Sequence, residues 1–264
     1  MSDSAPAAAG PRRAAILAVS LKLYLGHVAT LEWCRSVGDI ASRAPAVTGG
    51  RLDLVVLPAV TALSAVAEIL DPAVVAIGGQ DLWTEDSGPF TGEISGADLA
   101  AIGCRFAEVG HAERRRIFAE SDDLVHRKLV AATRNGLTPI LCVGEERRST
   151  ERDAVGECIR QLGAALAGQG GGAPAPHDLV VAYEPVWAIG AAEAAPPDHV
   201  APVCAAIKRW AADWAAGTRV RVIYGGAARE GIVSSLGDSV DGLFLGRFGH
   251  DTARLARVID ELSA

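Results

Sequence analysis

Eight short apolar runs, separated by segments of helical character, constrain the fold of this chain more than any other feature. Each run is nearly continuous in aliphatic residues, which is typical of parallel strands covered on both faces. The predicted strands span residues 14–21, 52–57, 73–79, 104–110, 138–144, 178–184, 219–226 and 241–247. Eight strand-then-helix units favour a single-domain α/β fold, a closed (β/α)8 barrel over residues 14–264, with an open doubly wound sheet as the second possibility.

Two segments fall outside this alternation. Residues 1–13, MSDSAPAAAGPRR, contain no apolar stretch of the kind found in a secretory signal, and we expect them to form a short disordered tail. Residues 168–178, GQGGGAPAPHD, are expected to form a flexible connection that enters the sixth strand at its N-terminal end. In a barrel that end contributes to stability and not to catalysis, so no chemistry is predicted there.

Charge and motif content exclude several classes of function. The net charge is −7 and the basic residues are scattered, which argues against nucleic acid or an anionic membrane as the partner. No apolar run approaches the roughly 20 residues of a transmembrane helix. The chain has no phosphate-binding P-loop, no G-x-G-x-x-G after a strand and no His/Cys metal spacing, so we predict neither a cofactor nor a metal. Five widely spaced cysteines without a C-x-x-C pair indicate a reduced, cytoplasmic protein.

Reactive side chains follow the predicted strands at their C-terminal ends. In a barrel these ends converge on one mouth, where active sites are built. Lys22 follows the first strand, His111 and Glu113 follow the fourth, and Glu184 ends the sixth. One such residue would be an ordinary solvent-exposed charge at a strand end. An amine, an imidazole and a carboxylate from three strands instead predict a catalytic pocket.

Five segments resemble those of the triosephosphate isomerase family, and they occur in that family's order. They are GPFTGEIS (88–95), GHAERRRIFAESDD (110–123), CVGE (142–145), AYEPVWAIG (182–190) and YGG (224–226). The resemblance implies a TIM barrel that interconverts an aldose phosphate and a ketose phosphate through an enediolate, without cofactor or metal. It also implies that the substrate is a small, anionic phosphosugar, which the negative net charge of the chain does not exclude.

The resemblance implies a role for each residue of the predicted pocket. Glu184 would be the general base, His111 a neutral imidazole that polarises the carbonyl, and Lys22 a positive charge that stabilises the enediolate. Glu113 would assist catalysis at the bottom of the site, although it could instead be a structural partner of the arginines that follow it. Such chemistry requires both a base and a donor, because the α-proton is removed only if the developing oxyanion is stabilised. Residues 185–190 would form a lid that begins at a stiff proline hinge.

Substrate and subunit contacts are also implied by the resemblance. The residues predicted to bind the substrate and its phosphate are Ser20, Gly190, Gly225, Gly226, Gly246 and Arg247. The protruding GPFTGEIS loop would insert into a second copy of the chain, with Thr91 reaching the partner's pocket and Glu93 anchoring the loop. A homodimer is therefore expected.

Departures from the family pattern cluster on the half of the site that holds the substrate. Ser20 stands where the family has Asn, Ala191-Ala192-Glu193 replace Thr-Gly-Lys after the lid glycine, and Ala227 replaces a Ser. Arg247 and Phe248 follow Gly246, where the family has paired glycines. Arg247 could restore the lost phosphate donors because a guanidinium binds phosphate in a fork.

Three functions remain open from the sequence. The first is isomerisation between glyceraldehyde 3-phosphate and dihydroxyacetone phosphate, with the altered residues as tolerated drift. The second is isomerisation of a four-carbon ketose phosphate such as erythrulose phosphate. The third is a barrel that binds a phosphosugar without turnover, which the retained Lys22, His111 and Glu184 argue against.

Overall fold

The computed structural model describes residues 15–168, 175–191, 194–214 and 217–263. The predicted tail 1–13 and most of the predicted flexible connection lie outside the described residues. The strands are β1 (Ala15–Ser20), β2 (Leu52–Leu57), β3 (Val75–Gly79), β4 (Phe106–Val109), β5 (Thr138–Val143), β6 (Asp178–Tyr183), β7 (Arg219–Tyr224) and β8 (Gly242–Leu245). The helices are α1 (His27–Ser42), α2 (Pro45–Thr48), α3 (Leu63–Ile69), α4 (Gly96–Ile102), α5 (Ala112–Phe118), α6 (Asp122–Arg134), α7 (Glu151–Ala165), α8 (Pro197–Trp214), α9 (Ile232–Leu236) and α10 (Thr252–Ser263).

The strands close into a barrel in chain order. Every neighbouring pair is parallel, and β1 pairs with both β2 and β8, which leaves no free sheet edge. This confirms the predicted (β/α)8 TIM barrel and excludes the open sheet. All eight predicted strands are present, but several are shorter than predicted. The residues after Tyr224 and Leu245 leave the strand ladder because they turn into loops at the mouth of the barrel.

Alternation along the strands divides the core into two separate clusters. On β1, Leu17 and Val19 face outward and pack beneath the helices, in a large cluster between the sheet and the helical layer. The other face of each strand points into the barrel. Twelve buried apolar side chains fill that interior, namely Ile16, Ala18, Val55, Leu57, Ala76, Phe106, Ile140, Cys142, Val180, Ala182, Ile223 and Phe244. The inner cluster is therefore a packed plug that supports the mouth from below.

Two further observations bear on the predictions from composition. All five cysteines are buried free thiols, as expected for a chain without disulfides. Among the described helices, none combines the length and the apolar content that a bilayer-spanning segment needs.

Candidate active site

The C-terminal ends of three strands bring an amine, an imidazole and a carboxylate to one cavity. Lys22 lies two residues after β1, His111 two residues after β4, and Glu184 one residue after β6. All three line a cavity of about 560 Å³ at the mouth of the barrel. Nε2 of His111 lies 3.4 Å from Oε2 of Glu184. The structure therefore brings together the three side chains that were predicted from separate strand ends.

The hydrogen bonding of His111 determines which of its two ring nitrogens carries the proton in the neutral form. His111 is the N-terminal cap of α5, the helical turn predicted for AERRRIF, and its Nδ1 accepts a hydrogen bond of 3.1 Å from the backbone N–H of Glu113. A nitrogen that accepts cannot carry a proton, so a neutral ring has its proton on Nε2. The Nε2–H of His111 is therefore available to a ligand in the cavity beside Glu184.

Glu184 is a buried carboxylate whose position depends on close backbone packing. Its side chain is 7% exposed, and its Oε2 has no hydrogen-bond partner among the described residues. A Cβ added at Gly225 would lie 2.6 Å from its Oε1, and one added at Gly226 would lie 2.6 Å from Cδ of Pro185. The two glycines after β7 therefore leave the room that the Glu184 carboxylate and its following proline occupy.

Lys22 is held by a strained backbone and an ion pair. Its φ of +49° is unusual for a residue other than glycine. Nε2 of Gln80 donates to the carbonyl oxygens of Lys22 and Leu57, which ties this turn to the top of the barrel. Nζ of Lys22 lies 2.8 Å from Oε1 of Glu113. Burial acts to lower the pKa of Lys22, but the bond to Glu113 and the nearby carboxylates outweigh it and raise that pKa, so the amine is positively charged.

These contacts bear on the two interpretations left open for Glu113. Its carboxylate pairs with Lys22, whereas Arg114 pairs with Asp81 and Glu120. Burial opposes ionisation of Glu113, but the bond to Lys22 prevails and lowers its pKa. Glu113 therefore lines the cavity, and Arg114 forms ion pairs within the protein, while the predicted catalytic role of Glu113 stays a prediction.

Glycines and arginines also line this cavity. The predicted residues Gly190, Gly225, Gly246 and Arg247 line it together with Arg229. A Cβ added at Gly190 would lie 3.8 Å from a terminal nitrogen of the Arg247 guanidinium. Gly226, which packs against Pro185, is the one predicted substrate-side glycine that does not line this cavity. The glycine backbone and the arginine side chains, which also include Arg254, make this part of the cavity suitable for an anion.

Comparison with known proteins agrees with this geometry. The model of the triosephosphate isomerase family matches residues 15–262, which is nearly the whole chain. The chain is a member of the triosephosphate isomerase family. Its relatives are isomerases by name, so this family member is an isomerase, and the alternative of a binding protein without turnover loses its support.

Relatives of this family member differ in their named substrate. It is 47% identical to L-erythrulose-1-phosphate isomerase of Pectobacterium atrosepticum, over 93% of this chain and 94% of the relative. It is 38% identical to triosephosphate isomerase of Mycobacterium avium, over 92% and 95% of the two chains. It is 34% identical to triosephosphate isomerase of a Synechococcus species, over 94% and 97%.

The segment that resembles the family's lid begins at a hydrogen-bonded hinge. Nε1 of Trp187 donates to Oε1 of Glu145 at 2.7 Å, and the Tyr183 hydroxyl donates to the same carboxylate. Nε2 of His199 lies 3.1 Å from Glu145, so this carboxylate closes an ion pair on the barrel rim when His199 is protonated. Ala192 and Glu193, at the second end of the segment, lie outside the described residues. Glu145 thus fixes the first hinge and takes no part in the cavity.

The two residues of the predicted dimer loop lie away from the cavity. Thr91 and Glu93 are exposed in the loop before α4, and neither lines the catalytic cavity of this chain. This position agrees with a loop that acts elsewhere than in its own subunit. It leaves the predicted contact with a second copy untested.

One residue of the site was missed by reasoning from the sequence. Glu108, on β4, is 3% exposed and accepts a hydrogen bond of 3.1 Å from the hydroxyl of Ser20. Its Oε1 lies 4.0 Å from Nε2 of His111. The available signal was a carboxylate inside the apolar run CRFAEVG, two residues before the glycine that precedes His111. Because Glu108 lies inside β4 and not at its end, its position along the chain does not indicate that it faces the site.

The surroundings of Glu108 favour its protonated form. Burial raises its pKa to about 7, and the charge of Glu184 adds to the effect, whereas His111, Lys22 and the Ser20 hydrogen bond oppose it. A group that titrates near neutral pH therefore lies beside the base and the imidazole.

The titration of the Glu108 carboxyl should make the free energy of unfolding of the protein depend on pH. Because the folded state holds the proton up to about pH 7, the free energy of unfolding should fall as the pH rises from about 5 to about 8. Replacing Glu108 by Gln removes this titration. The free energy of unfolding of the variant, relative to that of the wild type, should therefore rise by roughly 2–3 kcal/mol across that range. Urea unfolding at several pH values measures the difference. Glu68→Gln, an exposed glutamate on α3, is the control, and parallel curves for wild type and Glu108→Gln would contradict the expectation.

Proposed function

We propose that this isomerase acts on a four-carbon ketose phosphate of the erythrulose 1-phosphate type. The observation that carries the proposal is its 47% identity to an L-erythrulose-1-phosphate isomerase, against 34% and 38% to the two triosephosphate isomerases. The altered residues on the substrate side, Ser20, Ala227 and Arg247, support a changed substrate. Interconversion of the triose phosphates is the second candidate, favoured by the unaltered Lys22, His111 and Glu184.

The proposed reaction moves one proton between neighbouring carbons. In erythrulose 1-phosphate the carbonyl is at C2 and a hydroxyl is at C3. Glu184 removes the proton from C3, which gives an enediolate across C2 and C3. The hydroxyl proton on the C3 oxygen passes to the C2 oxygen, Glu184 returns the carbon-bound proton to C2, and the carbonyl forms at C3, so that substrate and product are isomers. A carboxylate with an unpartnered oxygen, 7% exposed, is suited to this exchange because bulk water does not compete for the proton.

The developing negative charge needs donors in fixed positions. Nε2–H of His111 faces the same space as the Glu184 carboxylate, at 3.4 Å. The ammonium group of Lys22 lies in the same cavity and is held by Glu113 at 2.8 Å. We propose that His111 donates to the enediolate oxygens while Lys22 supplies the compensating charge. Preorganised donors of this kind stabilise an oxyanion without reorganisation during the reaction.

We propose that the phosphate of the substrate binds in the part of the cavity that the glycines line. Backbone N–H groups at Gly190 and Gly246 and the guanidinium of Arg247 would receive it, whereas the N–H of Gly225 is donated to the carbonyl oxygen of Tyr183 at 2.9 Å. Arg247 is exposed and has no acidic partner among the described residues, so its charge is free for an anionic ligand. Closure of the lid at residues 185–190 over this group would exclude water.

Steady-state kinetics on both substrate classes test the proposal. We expect kcat/KM for L-erythrulose 1-phosphate to exceed that for glyceraldehyde 3-phosphate by about 100-fold or more. Deuterium uptake from D2O, followed by NMR, reports proton transfer without a coupling enzyme. The Glu184→Gln protein, purified in parallel, measures any contaminating host isomerase. A faster reaction with the triose would support the second candidate, and turnover of neither substrate would overturn both.

A homodimer is the second part of the proposal. Large apolar side chains are exposed around a second cavity beside the first, which would be unusual for a surface that stays in water. They include Leu23, Tyr24, Val60, Ile117 and Phe118. We propose that the loop of a second copy, with Thr91 and Glu93, covers this cavity. The cytoplasm, supported by five free cysteines, is the proposed location.

Introducing a charge into this cavity should separate the subunits. Ile117, which is 61% exposed, lines the cavity. Ile117→Asp should raise the dimer dissociation constant by about 100-fold or more, since it would bury an unpaired carboxylate in an interface. Light scattering coupled to size exclusion measures the mass of each species. Ala167→Asp, exposed after α7, should remain dimeric, and a wild-type protein that is monomeric at every concentration would sink the idea.

A further inference from the structure

We propose that Glu108 and Ser20 form a subsite for the terminal hydroxyl group of a four-carbon substrate, which makes Glu108 a specificity-determining residue. The inference rests on the proposed function, because only a substrate longer than a triose carries this hydroxyl. It goes further by naming the residues that would recognise the fourth carbon.

The barrel places Glu108 below its mouth, in the second cavity, which adjoins the catalytic one. Phe106, two residues earlier on β4, belongs to the apolar plug inside the barrel. Side chains two apart share a strand face, so Glu108 also points inward, one layer nearer the mouth. Ser20 occupies the corresponding layer on β1, two residues after Ala18 of the same plug. A carboxylate and a hydroxyl therefore form the polar floor on which a ligand would lie.

The contacts of Glu108 within the protein do not account for its burial. Its carboxylate accepts one hydrogen bond from the protein within the described residues, from Ser20 at 3.1 Å. The ammonium group of Lys22 is bonded to Glu113 and not to Glu108. Nε2 of His111, at 4.0 Å, is beyond hydrogen-bonding distance. Since a carboxyl group can take several hydrogen bonds, and an unsatisfied buried one is destabilising, the spare capacity of Glu108 points to a ligand.

Glu108 lies on the side of the reacting groups that is remote from the proposed phosphate site. Two cavities meet at the mouth, and Ser20, Lys22 and His111 line both. Gly190 and Arg247 line only the first, whereas Glu108 lines only the second. A substrate with its phosphate beside Arg247 and its reacting carbons beside His111 would direct its far end toward Glu108.

The chemistry of the substrate matches this arrangement. Erythrulose 1-phosphate is dihydroxyacetone phosphate with one hydrogen on the hydroxyl-bearing carbon replaced by a hydroxymethyl group. The added hydroxyl lies at the end opposite the phosphate. It can donate to an oxygen of the Glu108 carboxyl group or to the oxygen of the Ser20 hydroxyl, whose own proton is donated to Glu108. A triose phosphate leaves both groups without this partner, and sites built to bind a hydroxyl discriminate strongly against analogues that lack it.

The experiment compares substrates that differ only in the terminal hydroxyl. Wild type, Glu108→Leu and Glu108→Gln are assayed with L-erythrulose 1-phosphate and with its 4-deoxy analogue. We expect the wild type to prefer the hydroxylated substrate by about 100-fold, Glu108→Leu to reduce that preference to about fivefold or less, and Glu108→Gln to retain an intermediate preference. Circular dichroism confirms folding, and if the Leu variant does not fold, the Gln variant carries the test. An unchanged preference in both variants would overturn the proposal, as would equal loss of activity on both substrates.

A binding measurement separates failure of this subsite from failure of the proposed function. Calorimetry with glycerol 3-phosphate and with the four-carbon erythritol phosphate uses two inert polyol phosphates and needs no turnover. The wild type should bind the four-carbon ligand about tenfold more tightly, and Glu108→Leu should abolish the difference. If the protein turns over only trioses but shows this difference, the proposed substrate is wrong and the subsite stands. If it turns over the tetrulose without this difference, the subsite is wrong and the function stands.

Discussion

Replacing Glu184 by Gln is expected to lower kcat by about 10³-fold, with KM changed by less than about threefold. The amide keeps the shape and the polarity of the side chain, but it cannot accept the proton of the substrate carbon. Stability should change little, because Oε2 of Glu184 has no protein partner among the described residues that the substitution would remove. Proton exchange into the substrate, measured by NMR in D2O, is the direct measurement, since it follows the step that Glu184 performs.

Two controls separate the loss of the base from a change in net charge and from contaminating enzyme. Glu68→Gln, on the outside of α3, changes the net charge equally and should retain full activity. Expression in a host without its own triosephosphate isomerase removes background turnover. A Glu184→Gln enzyme that exchanges protons within tenfold of the wild-type rate would assign the base to another carboxylate, and Glu108, 4.0 Å from His111, would be the next to replace.

Replacing Gly225 by Ala should also lower kcat, by about 100-fold, without unfolding the protein. The new Cβ would lie 2.6 Å from Oε1 and 2.8 Å from Cγ of Glu184. A side chain can move away from such a contact, whereas a backbone cannot. The expected result is therefore a displaced base in an otherwise intact barrel, and a displacement of about 1 Å is sufficient for a loss of this size.

A second glycine provides the matched control. A Cβ added at Gly156, on α7, would meet nothing within 4 Å, so Gly156→Ala should keep its activity. Thermal unfolding of both variants distinguishes a displaced base from a destabilised fold. If Gly225→Ala retains wild-type kcat, the space beside Glu184 is not required for catalysis. If its midpoint falls steeply together with kcat, the clash has spread into the barrel.

The barrel and the principal site residues were predictable from local features. Apolar runs such as LDLVVL remain strands in the structure, with residues 52–57 reproduced without change, because their pattern matches burial on both faces. Lys22, His111 and Glu184 were identified because each follows such a run. Closure of the sheet then brings them together, since all eight strands point the same way.

What the sequence could not decide depends on contacts between distant segments. Glu113 pairs with Lys22, 91 residues away, and not with the neighbouring arginines, because α5 turns this side chain toward β1. Glu108 was hidden within a strand, and its orientation toward the site follows from the direction in which β4 faces in the closed barrel. Its partner Ser20 is 88 residues away. Patterns along the chain contain neither of these pairings.

The division of the core into two clusters has an evolutionary consequence. The plug inside the barrel and the shell beneath the helices have no residue in common. Ser20 and Glu108 lie directly above the plug, where an exchange alters the depth and polarity of the pocket without disturbing helix packing. In such a scaffold, new substrate preferences can arise through very few point mutations at the floor of the pocket. The ancestral proton-transfer groups and the fold are inherited unchanged.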